Sequence, residues 1–369
     1  MQSGPPRTVR CLGEPALILA EHDRAAHVHL ATRLAELLQL PLGDEWIDSS
    51  PATAGGYWVP YQSISCARAV ACGIRCVDDL FGGVVPELYM GTKVITHGLI
   101  AAAAKSPPGW CETFADAVDD VVLRGYSVFD RDDLVRAGNA LLAEGDLRIK
   151  QPHGVGGQGQ RLITNPEQLA SCLSPAASEN LARDGLVLEE QLADVVTLSV
   201  GQILLGGVCT SYFGTQQCTP NNRGETAYGG SELCCVRGGF DALDRVDVDA
   251  STRIAIKQAR TYHAAALRCF PGLILSRANY DVAQGTDAHG RWRSGVLEQS
   301  WRAGGASAAE IEAVAILLRE PHRQSVKVRT VERYGHATAP SDAIVLYHGN
   351  DSRNGPLLKY AEVIPDAAA

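Results

Sequence analysis

Apolar and polar positions along this chain follow two rhythms, one of period near 3.6 and one of short apolar runs or period 2. The run "ALILAE" (residues 16–21) reads as a buried strand, and "AAHVHLATRLAELLQL" (25–40) has helical spacing. After the loop-rich "PLGDEWIDSSPATAGGYWVP", "THGLIAAAAK" (96–105) reads as a helix stopped by the prolines of "SPPG". "GYSVFD" reads as a strand, and "DRDDLVRAGNALLAEG" as a capped helix closed by Gly145. "RLIT" is a short strand, followed by "NPEQLASCLS", where Asn165 suits a helix N-cap and Pro166 the first helical position.

Strands are expected again in "LVLEEQL" (186–192) and "LSVGQILLGGVCTSYF" (198–213), whereas "NNRGETAYGGSEL" (221–233) looks polar and loop-like. A long amphipathic helix is expected over 250–270. "ILSRANYDVAQ", the turn "GTDAHGRW" and "SGVLEQSW" form a hairpin. "SAAEIEAVAILLRE" reads as a last helix, and residues 342–364 as strand, turn and strand. The mixture is of α/β (α+β) class. It divides into a small N-terminal α/β unit (1–89), a central domain (90–320) and a C-terminal extension with a β-hairpin (321–369).

Composition adds bounds. With 369 residues, 46% hydrophobic and 20% charged, the chain has the make-up of an ordinary globular protein. A net charge of −9 argues against broad nucleic-acid or anionic-membrane binding. It leaves room for a local basic pocket that holds an anionic small ligand. No apolar run has the length of a signal core or a membrane span. The 11 cysteines include no C-x-x-C pair, and the loose group Cys66, Cys72 and Cys76 fits no zinc spacing. Reduced thiols, and so a cytoplasmic location, are expected.

The stretch "LRIKQPHGVGGQGQRLIT" (147–164) carries Gly154, Gly156, Gly157 and Gly159, with G-x-G-x-x-G among them. A dinucleotide fingerprint needs a helix after the glycines, and here a strand follows. A Walker loop needs a closing G-K-[ST], which is missing. A kinase flap has its lysine after the loop and needs H-R-D and D-F-G elsewhere; neither is present. A glycine-rich hairpin tip remains, with Lys150 at the end of the entering strand. Exposed backbone N–H groups at such a tip can close over phosphate oxygens while the lysine meets them as a point charge. A plain surface hairpin would look the same in isolation.

Two further features point the same way. In "LVLEEQL" an apolar strand ends in Glu189 and Glu190, the shape of an adenine-binding hinge. On the later hairpin, Glu298 and Ser300 are two apart and share a face, and Asp281 can meet them from the other strand. These oxygens, with Arg302 close by, suit Mg2+ carrying nucleotide phosphates.

The order "MGTKVITHGL", "LRIKQPHGVGGQGQ", "LVLEEQL", "ANYDVAQ", "VLEQSWRAGG", spanning roughly residues 90 to 320, resembles the ATP-grasp superfamily. Within it the chain is most similar to a bacterial family of unassigned function. The resemblance implies an ATP-grasp fold behind a small pre-ATP-grasp domain, with ATP and Mg2+ as cofactors. It implies that Lys93 and Lys150 contact phosphates under the glycine loop, and that Glu189, Glu190 and Leu192 line the adenine pocket. It also implies that Asp281, Glu298 and Ser300 hold Mg2+. Two positions depart from the superfamily's pattern: Ser300 stands where E-x-N usually ends, and Thr197 where an acidic residue often holds the ribose.

The expected activity is that of a carboxylate–amine ligase working through an acyl phosphate, with Lys150 and Arg302 stabilising charge. His153 is the one histidine placed to join them, with a solvent-facing loop histidine the favoured alternative. Small-molecule carboxylate and amine substrates are the expected partners, with no nucleic acid and no membrane, and a homodimer is compatible with the sequence. The alternative is an ATP-binding sensor or scaffold of the same fold, which Ser300 and Thr197 favour. Retained carboxylates at 281 and 298 count against it, because like charges buried without a cation are costly.

Overall fold

The computed structural model describes residues 7–13, 19–43, 46–47, 55–154, 159–172 and 175–365, with 175–179 as backbone only. The chain opens with β1 (Val9–Leu12), helix α1 (Glu21–Leu38) and β2 (Tyr57–Pro60), which pairs parallel with β1. Short strands β3 (Ile64–Ser65) and β4 (Gly83–Val85) flank α2 (Cys66–Cys72) and also pair parallel. Of the expected strand "ALILAE", residues 16–18 lie outside the described residues; the described part is no strand, since Leu19 and Ala20 are irregular and Glu21 opens α1.

A four-stranded antiparallel sheet follows. It comprises β5 (Gly125–Val128), β6 (Leu147–Lys150), β7 (Gln160–Ile163) and β8 (Leu186–Glu190), in the order β5-β8-β6-β7. Helix α3 (Glu112–Val118) precedes it, and α4 (Arg131–Leu142), α5 (Pro166–Ala170) and α6 (Pro175–Asp184) lie within its connections. The expected caps form: Asp130 accepts from the amides of Asp132 and Asp133, and Asn165 from that of Gln168. Leu134, Ala137 and Leu141 of α4 pack on Leu147, Ile149 and Leu188, giving this sheet its own core.

The larger sheet has eight strands. Its first members are β9 (Ala193–Leu205), β10 (Val208–Pro220) and β11 (Thr226–Arg237). Helix α7 (Ala250–Cys269) and the two-residue β12 (Ile274–Leu275), which pairs with β4, come next. The chain then returns as β13 (Arg277–Thr286) and β14 (Trp292–Ser300), runs through α8 (Ser307–Arg319), and adds β15 (Ser325–Tyr334), β16 (Ile344–Asp351) and β17 (Gly355–Ile364). The order is β14-β13-β9-β10-β11-β15-β17-β16. The C-terminal hairpin β16–β17 thus continues the main sheet through β15, and Val326 and Val328 share a core with α1 and α8.

Two expectations fail. Residues 96–105 form no α-helix; a single 3-10 turn at Lys93–Ile95 replaces it. Ser127 bonds the carbonyls of Val94 and Gly98, tying this segment to β5, and Ala101–Ala103 are exposed. A periodic pattern without an apolar face to bury does not hold a helix. The polar 221–233 stretch is largely strand, because β11 pairs on both sides and most of its polar groups are satisfied there. All 11 cysteines are unpaired, and of the loose group only Cys72 is buried. Among the described residues, no helix is long and apolar enough to cross a membrane.

Candidate functional site

The candidate residues form two groups, Lys150 with Glu189 on the smaller sheet and Lys93 with Glu298 and Asp281 at the β13–β14 hairpin, and Lys93 also reaches Gly154 after β6. Glu190, Leu192 and His153 lie apart from both. Lys150 ends β6 and pairs in register with Val187 of β8. Its ammonium lies 2.5 Å from Glu189 Oε1, and both side chains are buried. Glu189 Oε2 is 3.1 Å from His97 Nε2. Burial alone would raise the Glu189 carboxyl; Lys150 and His97 outweigh it and hold it below the ordinary range.

Gly125 makes this contact possible. It sits opposite Glu189 in the β5–β8 pair, and a Cβ there would fall 2.6 Å from the Leu188 carbonyl and 2.8 Å from the His97 ring. His97 is therefore the histidine of this site, and sequence reasoning missed it. The only signal was its position four residues after Lys93. His153 is exposed at the base of the glycine segment.

Glu190 faces the other way, as strand alternation requires. Its carboxylate takes hydrogen bonds from the Arg124 side chain (3.0 and 3.2 Å) and from Arg293 (3.1 and 3.3 Å). Only its backbone is left to edge a pocket on the Glu189 side. Leu192 is buried with Leu123 and Ala283.

Lys93 is buried and ion-pairs with Glu298 Oε2. It also donates to the carbonyl of Gly154 at 2.9 Å, linking the start of the glycine segment to the β13–β14 hairpin. Gly159, at φ +72°, closes that segment in a conformation that favours glycine. Gly156 and Gly157 lie outside the described residues.

On the β13–β14 hairpin, Asp281 lies directly opposite Glu298, and Asn279 opposite Ser300. Asp281 Oδ1 accepts from Gln216 (2.6 Å), Asn279 (2.8 Å) and Ser199 (3.3 Å). Burial raises the Asp281 pKa, and neighbouring Glu298 raises it further. Ser300 Oγ accepts from Arg277 Nη1 at 3.3 Å. Arg277 in turn is locked to Glu310 (2.6 and 3.0 Å) in a fully buried pair. Nothing in the sequence signalled that pair, whose members are 33 residues apart. Arg302 is half-buried and donates to the Ala303 carbonyl. Burial lowers its pKa, and it remains a cation.

Among the described residues, no three His, Cys, Asp or Glu side chains gather as a metal site. Two facing carboxylates, one of them disfavoured as an anion by the other, still fit a Mg2+ ion that draws its remaining ligands from phosphate and water.

With this geometry in view, the comparisons with known proteins can be placed. A family model described as "Protein of unknown function (DUF3182)" matches residues 15–361. The chain belongs to this family. No curated protein matches this DUF3182 member. Among solved structures it is similar to phosphoribosylamine–glycine ligase from Thermotoga maritima, with TM-score 0.50 and 13% identity over 96% of this chain and 92% of that one. It is also similar to N5-carboxyaminoimidazole synthetase from Staphylococcus aureus complexed with ADP, with TM-score 0.47 and 13% identity over 98% and 94% of the two chains. D-alanyl-alanine synthetase A from Vibrio cholerae gives TM-score 0.46 and 11% identity over 81% and 90%. The fold of the DUF3182 chain is ATP-grasp.

Proposed function

We propose that this protein is an ATP-dependent carboxylate–amine ligase that works through an acyl phosphate. One observation carries the reading. Two lysines from the smaller sheet and its approach, Lys150 and Lys93, each pair with a carboxylate, and Lys93 reaches Glu298 beside Asp281 on the larger sheet. A set of cations facing a pair of carboxylates across the ATP-grasp fold suits a polyphosphate that arrives with its metal.

In this reading Glu189 and the strand after it border the adenine, and Lys150 moves its charge from Glu189 onto the phosphates. Lys93 does the same from Glu298, and its bond to the Gly154 carbonyl places the described start of the glycine segment beside them. Asp281 and Glu298 would hold Mg2+, which when bound would neutralise phosphate oxygens. A substrate carboxylate oxygen attacks the γ-phosphorus and ADP leaves. The amine nitrogen then attacks the acyl carbon, phosphate leaves, and the amine proton passes to solvent or phosphate. Arg302 supplies positive charge near the transferred group. No protein nucleophile is needed.

Hydroxylamine traps acyl phosphates as hydroxamates. Incubation with Mg-ATP, hydroxylamine and a panel of amino, keto and hydroxy acids should give ADP, phosphate and one hydroxamate by mass, and Glu298→Gln should abolish it. AMP and pyrophosphate would instead indicate adenylation. ATP binding without product across the panel would favour the sensor reading, which the Ser300–Arg277 contact supports.

A further inference from the structure

We infer that Asn279, rather than Ser300, gives the uncharged protein oxygen to the divalent cation held by Asp281 and Glu298. The inference rests on the Mg-nucleotide reading above and deepens it. Arg277, Asn279 and Asp281 alternate along one face of β13, and Ser300 and Glu298 stand opposite the last two. Both 279 and 300 therefore border the carboxylate pair.

Ser300 is engaged elsewhere. Arg277 Nη1 gives its two protons to the nearer acceptors, the carbonyls of Arg302 (2.7 Å) and Ser300 (3.0 Å), and stands 3.3 Å from the Ser300 hydroxyl oxygen, which at most shares one of them. Glu310 fixes the other side of that guanidinium. A metal ion on Ser300 Oγ would share a small oxygen with a permanent cation that cannot lose its proton.

Asn279 is held in the opposite sense, by a shortage of one proton. Tyr212 Oη lies 2.8 Å from Glu310 Oε1 and 3.1 Å from Asn279 Oδ1. Gly201 lets it sit there, since a Cβ at that position would be 2.4 Å from Tyr212 Oη. The phenol has one proton for two acceptors. The charged carboxylate, nearer and already organised by Arg277 and Ser307, takes it. The Tyr212 oxygen, which also accepts from Arg277 Nη2 at 3.4 Å, then faces Asn279 with its remaining lone pair.

A half-turn of the Asn279 amide resolves this end: Nδ2 donates to Tyr212, and Oδ1 comes to the position 2.8 Å from Asp281 Oδ1 where the nitrogen now stands. Two oxygens can face at that spacing only with a proton or a cation between them. For a cation with oxygens at 2.0–2.1 Å in octahedral geometry, neighbouring ligands are about 2.9 Å apart. Asn279 thus has two settings. With no cation it donates to Asp281, and with one it turns and ligates. Gln216 and Ser199 hold the Asp281 carboxylate in place in both.

Mn2+ binding, read by electron paramagnetic resonance with a non-hydrolysable ATP analogue, tests this without turnover. Ser300→Ala should bind Mn2+ within about twofold of wild type. Asn279→Leu, near in shape and without donors or acceptors, should lose about tenfold or more. Asn279→Asp keeps an oxygen toward the metal and should bind at least as tightly as wild type. If Asn279 served only as a donor to Asp281, the Asp variant would set two carboxylates against each other and fail like the Leu variant. That result, or a Ser300→Ala loss with Asn279→Leu unaffected, overturns the inference. Thermal melts without metal check that each variant is folded. Wild-type protein that binds no Mn2+ with the nucleotide overturns the ligase reading and this inference with it, a pattern distinct from a variant-only failure.

Discussion

Lys93 and Glu298 form an ion pair between the segment leading into the smaller sheet and the β13–β14 hairpin. The same ammonium holds the Gly154 carbonyl, so one side chain ties the glycine segment to the carboxylates. Phosphates would compete with Glu298 for the lysine, and a metal ion would compete with Lys93 for the glutamate. Lys93→Met should therefore have opposite effects on the two ligands. Mn2+ alone should bind several-fold more tightly, because Glu298 is released beside Asp281. Mg-ATP should bind about tenfold more weakly, from loss of a charge-assisted contact. Titration of each ligand separately checks this. A parallel fall in both affinities would mean that Lys93 only supports the local structure.

Lys150 and Glu189 allow the structural and ligand roles of a buried pair to be separated. Lys150→Met leaves a buried carboxylate with His97 alone, and should cost about 3 kcal/mol in urea denaturation. Adding Glu189→Gln removes the unpaired charge and should restore most of that loss. ATP affinity, measured by calorimetry, should stay low in the double variant, because the cation for the phosphates is still missing. Recovery of both stability and binding in the double variant would remove the phosphate role from Lys150.

How much of this was legible in the chain depends on range. That the glycine segment leads into a strand, and so is no dinucleotide turn, was readable from "RLIT", and the structure has β7 there, paired with β6. The shared face of Glu298 and Ser300 followed from strand period, and the register with Asp281 agrees. What escaped was long-range or set by packing. Asp281's neighbours Ser199 and Gln216 come from β9 and β10, 82 and 65 residues away, and no local pattern announces them. Strand β11 was hidden by Gly229 and Gly230, which lower strand propensity but admit close backbone approach: a Cβ at Gly230 would fall 2.0 Å from the Thr330 carbonyl. The direction of Glu190 was readable from alternation, but its Arg124 and Arg293 partners were not.

Gly125 gives a test of the His97–Glu189 contact. Gly125→Ala would drive a methyl into the Leu188 carbonyl and the His97 ring, so the β5–β8 pair must part or the ring must turn. A loss of about 1–3 kcal/mol is expected, as for overpacking. ATP affinity should fall with it, since Glu189 loses its fixed orientation. His97→Ala in the Gly125→Ala background should relieve part of the stability loss. A Gly125→Ala protein as stable as wild type would show that the two strands yield freely here.

Acid stability should depend, in one window, on buried histidines: His27 and His263 most, with His29 lowered by burial in the same sense. Burial lowers His27, whose Nε2 is 2.8 Å from the Val59 carbonyl, from its ordinary 6.5 to about 4. Burial likewise lowers His263, beside the Tyr280 hydroxyl at 2.8 Å, to about 4. Both folded values lie below the unfolded one, so between pH 6.5 and 4 the unfolded chain binds more protons than the folded one. Stability then rises with pH across that window and falls as the solution is acidified, flattening below about 4. Each histidine contributes about 1.4 kcal/mol per pH unit, or roughly 3 kcal/mol by the lower end. Asp23, lowered to about 2 through its contacts with His22 and Lys359 against the opposing effect of burial, acts only below this range. His263→Phe keeps the aromatic volume against Phe240 and Tyr280 and removes the titrating nitrogen, so it should lower the slope of unfolding free energy against pH by up to about 1.4 kcal/mol per pH unit. Urea denaturation from pH 7.5 to 4 measures that slope directly, and an unchanged slope in His263→Phe would place the acid sensitivity in other groups.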